Sequence, residues 1–120
     1  MREIKFRGKR LDNGKWIIGD LLRMGGCTFI FPDPAPDSFD RYMVDPSTVG
    51  QFTGLLDKNG KEIWEGDVAL NIYNRVVICE WFRGGFWLNG AQHGADYNIH
   101  LVYKDIEIIG NIHDNPELVK

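Results

Sequence analysis

The chain has 120 residues, a net charge of −3, 43% hydrophobic residues and 26% charged residues. That length can bury one domain-sized core without disulfides or metal, and the composition is that of an ordinary globular protein. The acidic balance argues against a duplex-binding surface, which needs a clustered excess of Lys and Arg. Only the run Arg2, Lys5, Arg7, Lys9 and Arg10 leaves room for a local basic face.

The two cysteines, Cys27 and Cys79, lie in the apolar runs CTFIF and VVICEW and form no CxxC pair. They read as buried free thiols, which suits a reducing cytoplasm. No apolar stretch approaches the ~20 residues of a membrane-spanning helix. The opening MREIKFRG lacks the apolar region of a signal peptide. The expectation is a cytoplasmic protein with no membrane partner.

In chain order, Glu3 to Arg7 alternates, with Ile4 and Phe6 on one face, and predicts a strand. Asn13-Gly14 supplies the positive φ of a hairpin turn into a second strand, Trp16 to Leu22. Gly25-Gly26 turns into CTFIF. These pieces predict a three- or four-stranded antiparallel unit. Pro32, Pro34, Pro36 and Pro46 then exclude a central strand and predict a long loop. Val49 to Leu56 is extended, and Asp57 to Gly60 closes a hairpin into Lys61 to Trp64. Val68 to Tyr73 alternates, with Val68, Leu70 and Ile72 on one face. Arg75 to Arg83 and FWLNG flank a Gly84-Gly85 turn. AQHGADYN reads as polar loop, Ile99 to Tyr103 and Asp105 to Ile112 as the last strands. Asn115 and Pro116 suit the N-cap and first position of one helical turn. No twelve-residue segment holds a 3.6-residue period. The 14 glycines fit many tight turns better than long helices. The class is mainly β, in antiparallel hairpins with little helix. The segments LDNGKWIIGD and LDKNGKEIWEGD look alike, either as a remote repeat or, the favoured reading, as two hairpins that meet the same turn rules.

Chemistry is sparse. The histidines His93, His100 and His113 are not spaced as metal ligands, so no metal and no cofactor is expected. The serines, Ser38 and Ser47, sit in or beside the proline-rich loop, outside any Gly-x-Ser-x-Gly elbow. The apolar settings of both cysteines disfavour a thiolate. Neither GxxxxGK[ST] nor a strand-following GxGxxG occurs. Glu62, Glu65 and Asp67, close together around Trp64, are the best enzymatic candidates, as a proton-sharing or cation-holding set. The same stretch has a structural reading. Asn59-Gly60 closes the hairpin, Trp64 packs, and Gly66-Asp67 bends the chain and bonds backbone N–H groups ahead of a strand. The hairpin WFRGGFWL places Trp81, Phe82, Arg83, Phe86 and Trp87 around a tight turn. Exposed, Trp81, Arg83, Phe86 and Trp87 would form a stacking platform for single-stranded nucleic acid or a contact surface.

Three blocks together resemble the YopX family of small bacteriophage and prophage proteins. They are REIKFRGKRLDNGKWIIGD (Arg2–Asp20), VGQFTGLLDKNGKEIWEGDVAL (Val49–Leu70) and IEIIGNIHDNPELVK (Ile106–Lys120). The resemblance covers about the whole chain, and its motifs occur in order. It implies an N-terminal β unit, about residues 1–48, followed by an SH3-like barrel, about residues 49–120. The family's molecular function is not established, so no catalytic or ligand residue carries over. At His113 the family often has an aromatic, which weakens a metal or acid–base role there. The leading expectation is a non-enzymatic accessory protein in the bacterial cytoplasm, binding a host or phage protein or a second copy of itself. A single-stranded nucleic-acid binder is the alternative and is less favoured; a metal-dependent enzyme on Glu62, Glu65 and Asp67 is the third reading.

Overall fold

The computed structural model describes residues 3–32, 42–82, 84–90 and 96–119. The protein is mainly β: ten antiparallel strands and one four-residue α-helix among the described residues. It divides into two compact units, residues 1–52 and 53–120. The boundary falls inside β4 (Gly50–Leu56), so one strand belongs to both.

In the first unit, β1 (Phe6–Lys9) pairs with β2 (Trp16–Met24), and β2 with β3 (Cys27–Phe31). The beginning of β4 adds to the free side of β1, with Phe6 opposite Gln51. The β1–β2 turn closes on Asn13, whose Oδ1 accepts from Lys15 N, and on Gly14 at φ 69°. A 3-10 turn, Pro46–Thr48, follows Asp45, whose carboxylate accepts from Ser47 N. Its Thr48 Oγ1 then accepts from Lys9 N at 2.8 Å. Phe29, Ile30, Val44 and Phe52 are buried. Gly8 keeps its place because a Cβ there would press on Ile30 and Val44. Of the proline-rich loop, residues 33–41 lie outside the described residues.

The second unit holds β5 (Glu62–Trp64), which follows β4, and a sheet in the order β10-β6-β7-β8-β9. Its members are β6 (Asp67–Leu70), β7 (Val76–Phe82), β8 (Gly85–Gly90), β9 (Asp96–Asn98) and β10 (Glu107–Asn111). The order is compatible with a barrel-like curl, although β10 and β9 do not pair among the described residues. The core is Ile63, Ala69, Val77, Cys79, Phe86, Leu88, Ile99, Ile106 and Ile108, with Leu55, Val102 and Tyr103 against it. Period-2 alternation delivers it: Val77 and Cys79 on β7 face inward with Phe86 and Leu88 on β8. Cys79 is buried and Cys27 half-buried, and neither is in a disulfide.

Four expectations of local structure change. Ile99–Val102 is an α-helix (α1), not a strand. Asn98 caps it, accepting from His100 N, while Ile99 and Val102 enter the core three residues apart and Leu101 stays exposed. That spacing is helical, but the segment is too short for a period to show. In the polar stretch AQHGADYN, residues 96–98 pair with β8 as an edge strand, and residues 91–95 lie outside the described residues. The strand from Val68 ends at Leu70 instead of Tyr73, because Asn71 Oδ1 accepts from both Tyr73 N and Arg75 N and makes a turn. Val68 and Ala69 are both buried, so β6 is covered on both faces and does not alternate. At the C-terminus Pro116–Val119 is a 3-10 turn. Asn115 Oδ1 reaches back to Asn111 N at 3.2 Å.

Candidate functional site

The stretch Thr53 to Leu70 holds four acids, Asp57, Glu62, Glu65 and Asp67, and its geometry is that of a scaffold. Thr53 is fully buried; its hydroxyl donates to Ile63 O and accepts from Leu55 N. Asp57 N bonds Lys61 O at 2.8 Å, and Gly60 takes φ 81° to close the hairpin. Asp57 is only 6% exposed. Its Oδ1 accepts from Asn59 N and Lys61 N inside the hairpin. Its Oδ2 accepts from Ile108 N, 51 residues away on β10, at 2.9 Å. One carboxylate therefore holds the tip of the β4–β5 hairpin and ties it to the last strand. Burial pushes this carboxyl up. The donors from Ile108, Lys61 and Asn59, with the Lys61 charge, outweigh that and hold it below its ordinary value of 3.8.

The Gly66-Asp67 step works similarly. Gly66 sits at φ 92°, its N–H donates to Cys79 O, and its carbonyl accepts from Ile112 N. Asp67 is 3% exposed, and its Oδ2 accepts from Trp64 N at 2.7 Å. Trp64 itself is buried. A side chain at Gly66 would meet His113 and Ile112 only at ordinary contact distance, so its cost is conformational. Gly66→Ala is expected to lower stability by about 1–2 kcal/mol, read as a lower urea midpoint with an unchanged slope.

Glu62, Glu65 and Asp67 do not converge. Asp67 spends its carboxylate on the Trp64 backbone. Among the described residues no three His, Cys, Asp or Glu side chains gather closely enough to hold a metal ion. His93 lies outside the described residues. The carboxylate set that spacing suggested is dispersed because two of its positions flank the Gly66 bend, which turns Asp67 inward.

The aromatic hairpin is only partly a surface. Phe86 is 2% exposed and belongs to the core, so it cannot stack on a ligand; its register opposite Trp81 puts both rings on one face, that of Cys79 and Leu88. Trp81 stands edge-on to it, centroids 4.8 Å apart, and remains 48% exposed at the strand end. Phe82 is 49% exposed. Trp87 is half-buried, with Nε1 donating to Phe82 O at 2.9 Å. Arg83 lies outside the described residues. What this hairpin presents is therefore Phe82 with Trp87 on one face and Trp81 at the end of the other.

The basic run of the first unit is used on rings. Arg7 and Lys9 lie over Trp16, at 4.7 and 5.4 Å from its centroid. Lys5 lies over Phe52 and Arg10 over Tyr42. Arg10 also pairs with Asp12 at 2.6 Å. Arg2 lies outside the described residues.

A cleft in the second unit had no signal in the sequence. It is about 170 Å³ in volume, floored by Val77, Leu88 and Ile106 and bordered by Tyr73, Tyr97 and Asp105. A second depression of about 310 Å³ shares Asn71, Tyr73, Val77 and Tyr97 with it and reaches Arg75. Tyr73 and Tyr97 are 72% and 50% exposed. They come from a turn read as strand and from a strand read as loop, so their convergence was invisible.

Fold and site together define an all-β protein of two small units, with an acidic signature that is structural and aromatic side chains left at the surface. The chain belongs to the YopX family: the family model, described as YopX protein, matches residues 5–120. A solved structure, "Crystal structure of protein EF1440 from Enterococcus faecalis", is similar in fold with a TM-score of 0.61. The two are 23% identical and match over 100% of both chains. Among curated proteins, none matches the chain. No helix among the described residues is long and apolar enough to cross a membrane.

Proposed function

We propose that the protein is a phage or prophage accessory protein of the bacterial cytoplasm that acts without chemistry of its own, as a small β interaction module. The observation that carries this reading is that both faces of β7 end in an exposed ring, Trp81 on the face of Cys79 and Phe82 on the opposite face beside half-buried Trp87. Large aromatics left in water forgo the gain of burial, roughly 25 cal/mol per Å² of apolar surface, and such rings mark surfaces that a partner covers. Family membership supports the phage setting, and Asp67 spends its carboxylate on the Trp64 backbone, which favours a structural reading of the acids. The partner is a host or phage protein, or a second copy of the chain.

The reading is tested by light scattering of the purified protein together with affinity capture from bacterial host extract, each repeated with Trp81→Ala and Phe82→Ala. Self-association, or a captured protein lost from both variants while the fold is retained, supports it. A strict monomer that retains no partner, or capture indifferent to both substitutions, overturns it.

A further inference from the structure

The cleft between Tyr73 and Tyr97 has features that packing does not require. Tyr73 lies in the Asn71–Arg75 turn and is 72% exposed, so its ring contributes little to the core. Tyr97 sits on edge strand β9, opposite Leu88. Between the two, the floor descends to Val77, Leu88 and Ile106, which are 4%, 2% and 1% exposed. The rim is polar at both ends. Asp105 borders the first depression and Arg75 the second. Among the described residues neither side chain has a hydrogen-bond or ion-pair partner. Asn71 commits its Oδ1 to the turn, which leaves its Nδ2 donors unspent among the described residues.

This pattern selects a ligand. A purely apolar side chain would fill the floor but would strip water from Asp105, Asn71 and Arg75 without replacing it. A planar ring with a polar edge satisfies both: its faces meet the tyrosines, and its edge meets a donor in Asn71 and an acceptor in Asp105. Arg75, at the far end, is a guanidinium that suits a bidentate anion. The volumes, about 170 and about 310 Å³, and the single flanking pair of rings match one base with one charged arm, not a run of bases. We propose that the Tyr73–Tyr97 cleft is a binding site for a free nucleotide, its base between the two tyrosines with Asn71 and Asp105 at its edge and its phosphate on Arg75. The site lies at the start of β7, whereas Trp81 and Phe82 lie at its end. It does not rest on the interaction-module reading, and the two fail independently.

The experiment is calorimetric titration of the whole chain with each of AMP, GMP, CMP and UMP, with the corresponding nucleosides, with inorganic phosphate, and with a short single-stranded oligonucleotide. The expected result is saturable binding of at least one nucleotide. Tyr97→Ala and Tyr73→Ala should each weaken it at least about fivefold, the loss of one base–aromatic stack. Arg75→Ala should reduce the nucleotide to the affinity of its nucleoside, and Arg75→Lys should restore part of the difference. Both tyrosines are exposed enough to be replaced without unfolding, which circular dichroism checks. Four results overturn the proposal. They are no nucleotide binding at millimolar concentration, inorganic phosphate binding as well as the nucleotide, binding unchanged in both tyrosine variants, or an oligonucleotide preferred with a salt dependence of several phosphates.

Discussion

Asp57→Ala is expected to cost about 3–5 kcal/mol, the largest loss from any single polar side chain in the second unit. The alanine leaves three backbone N–H groups without their acceptor, and each buried donor left unpaired costs about 1–3 kcal/mol. The donor of Ile108 is buried within β10 and has no other acceptor within the ladder, while those of Asn59 and Lys61 can recover water. A loss of that size is a large share of the total stability of a small protein, about 5–15 kcal/mol. It should appear as a fall in Tm of roughly 10–20 °C. The pH dependence follows from the same bonds. The folded-state pKa of Asp57 lies below its ordinary value of 3.8. Its contribution is therefore fully present above the unfolded-state pKa and is lost as pH falls through the folded-state pKa. Urea midpoints taken from neutral pH down to acid should decline for the natural chain and decline less for Asp57→Ala. Parallel declines would show that other carboxylates dominate acid unfolding.

The second large effect is expected in the first unit. Gly19→Ala places a Cβ into the carbonyl of Phe31, with the Phe31 carbonyl carbon at 2.6 Å and Pro32 Cα at 3.0 Å. All three are backbone atoms, so no rotamer change relieves the contact. Gly19 is opposite Phe6, at the end of the β1–β2 pairing and next to Asp20, where the pairing with β3 begins, so it cannot move without disturbing both ladders. Overpacking of this kind costs about 1–3 kcal/mol and more where backbone must shift. The expected value is at the upper end, about 3 kcal/mol, in chemical denaturation. Hydrogen exchange should place the loosening at β2 and β3. Gly14→Ala is the control of opposite design: a Cβ there meets nothing within 4 Å, so its cost is only that of a residue at φ 69°. If both substitutions cost the same, crowding is not the reason for glycine at position 19.

Most of the sheet was legible because its signals are local. Asn13-Gly14 and Asn59-Gly60 require positive φ at the glycine and announce their hairpins whatever surrounds them. CTFIF and VVICEW are apolar and β-branched enough to be strands in any context. Ile99–Val102 failed for the converse reason. Four residues cannot display a helical period, and what makes them helical is the burial of Ile99 and Val102 in a core assembled from β7, β8 and β10. The edge strand at residues 96–98 carries no apolar pattern of its own and exists because β8 offers it a free side.

The candidate site divides in the same way. Strand alternation alone leaves open which rings of the hairpin are covered; Trp81 and Phe86 share one face as opposed partners, and Phe86 is covered by the core while Trp81, nearer the strand end, stays half in water. The Tyr73–Tyr97 cleft joins residues 24 positions apart, which only chain reversal brings together. Asp57 was readable as a turn residue, yet its bond to Ile108 was not, since 51 intervening residues leave no local trace. By itself the sequence determined the β class, the turns and the family, because those depend on φ preferences, alternation and motif order within a few residues. The tertiary structure alone decided which acids are scaffold and which aromatics are surface, because burial and hydrogen-bond partners are supplied by parts of the chain far away in sequence.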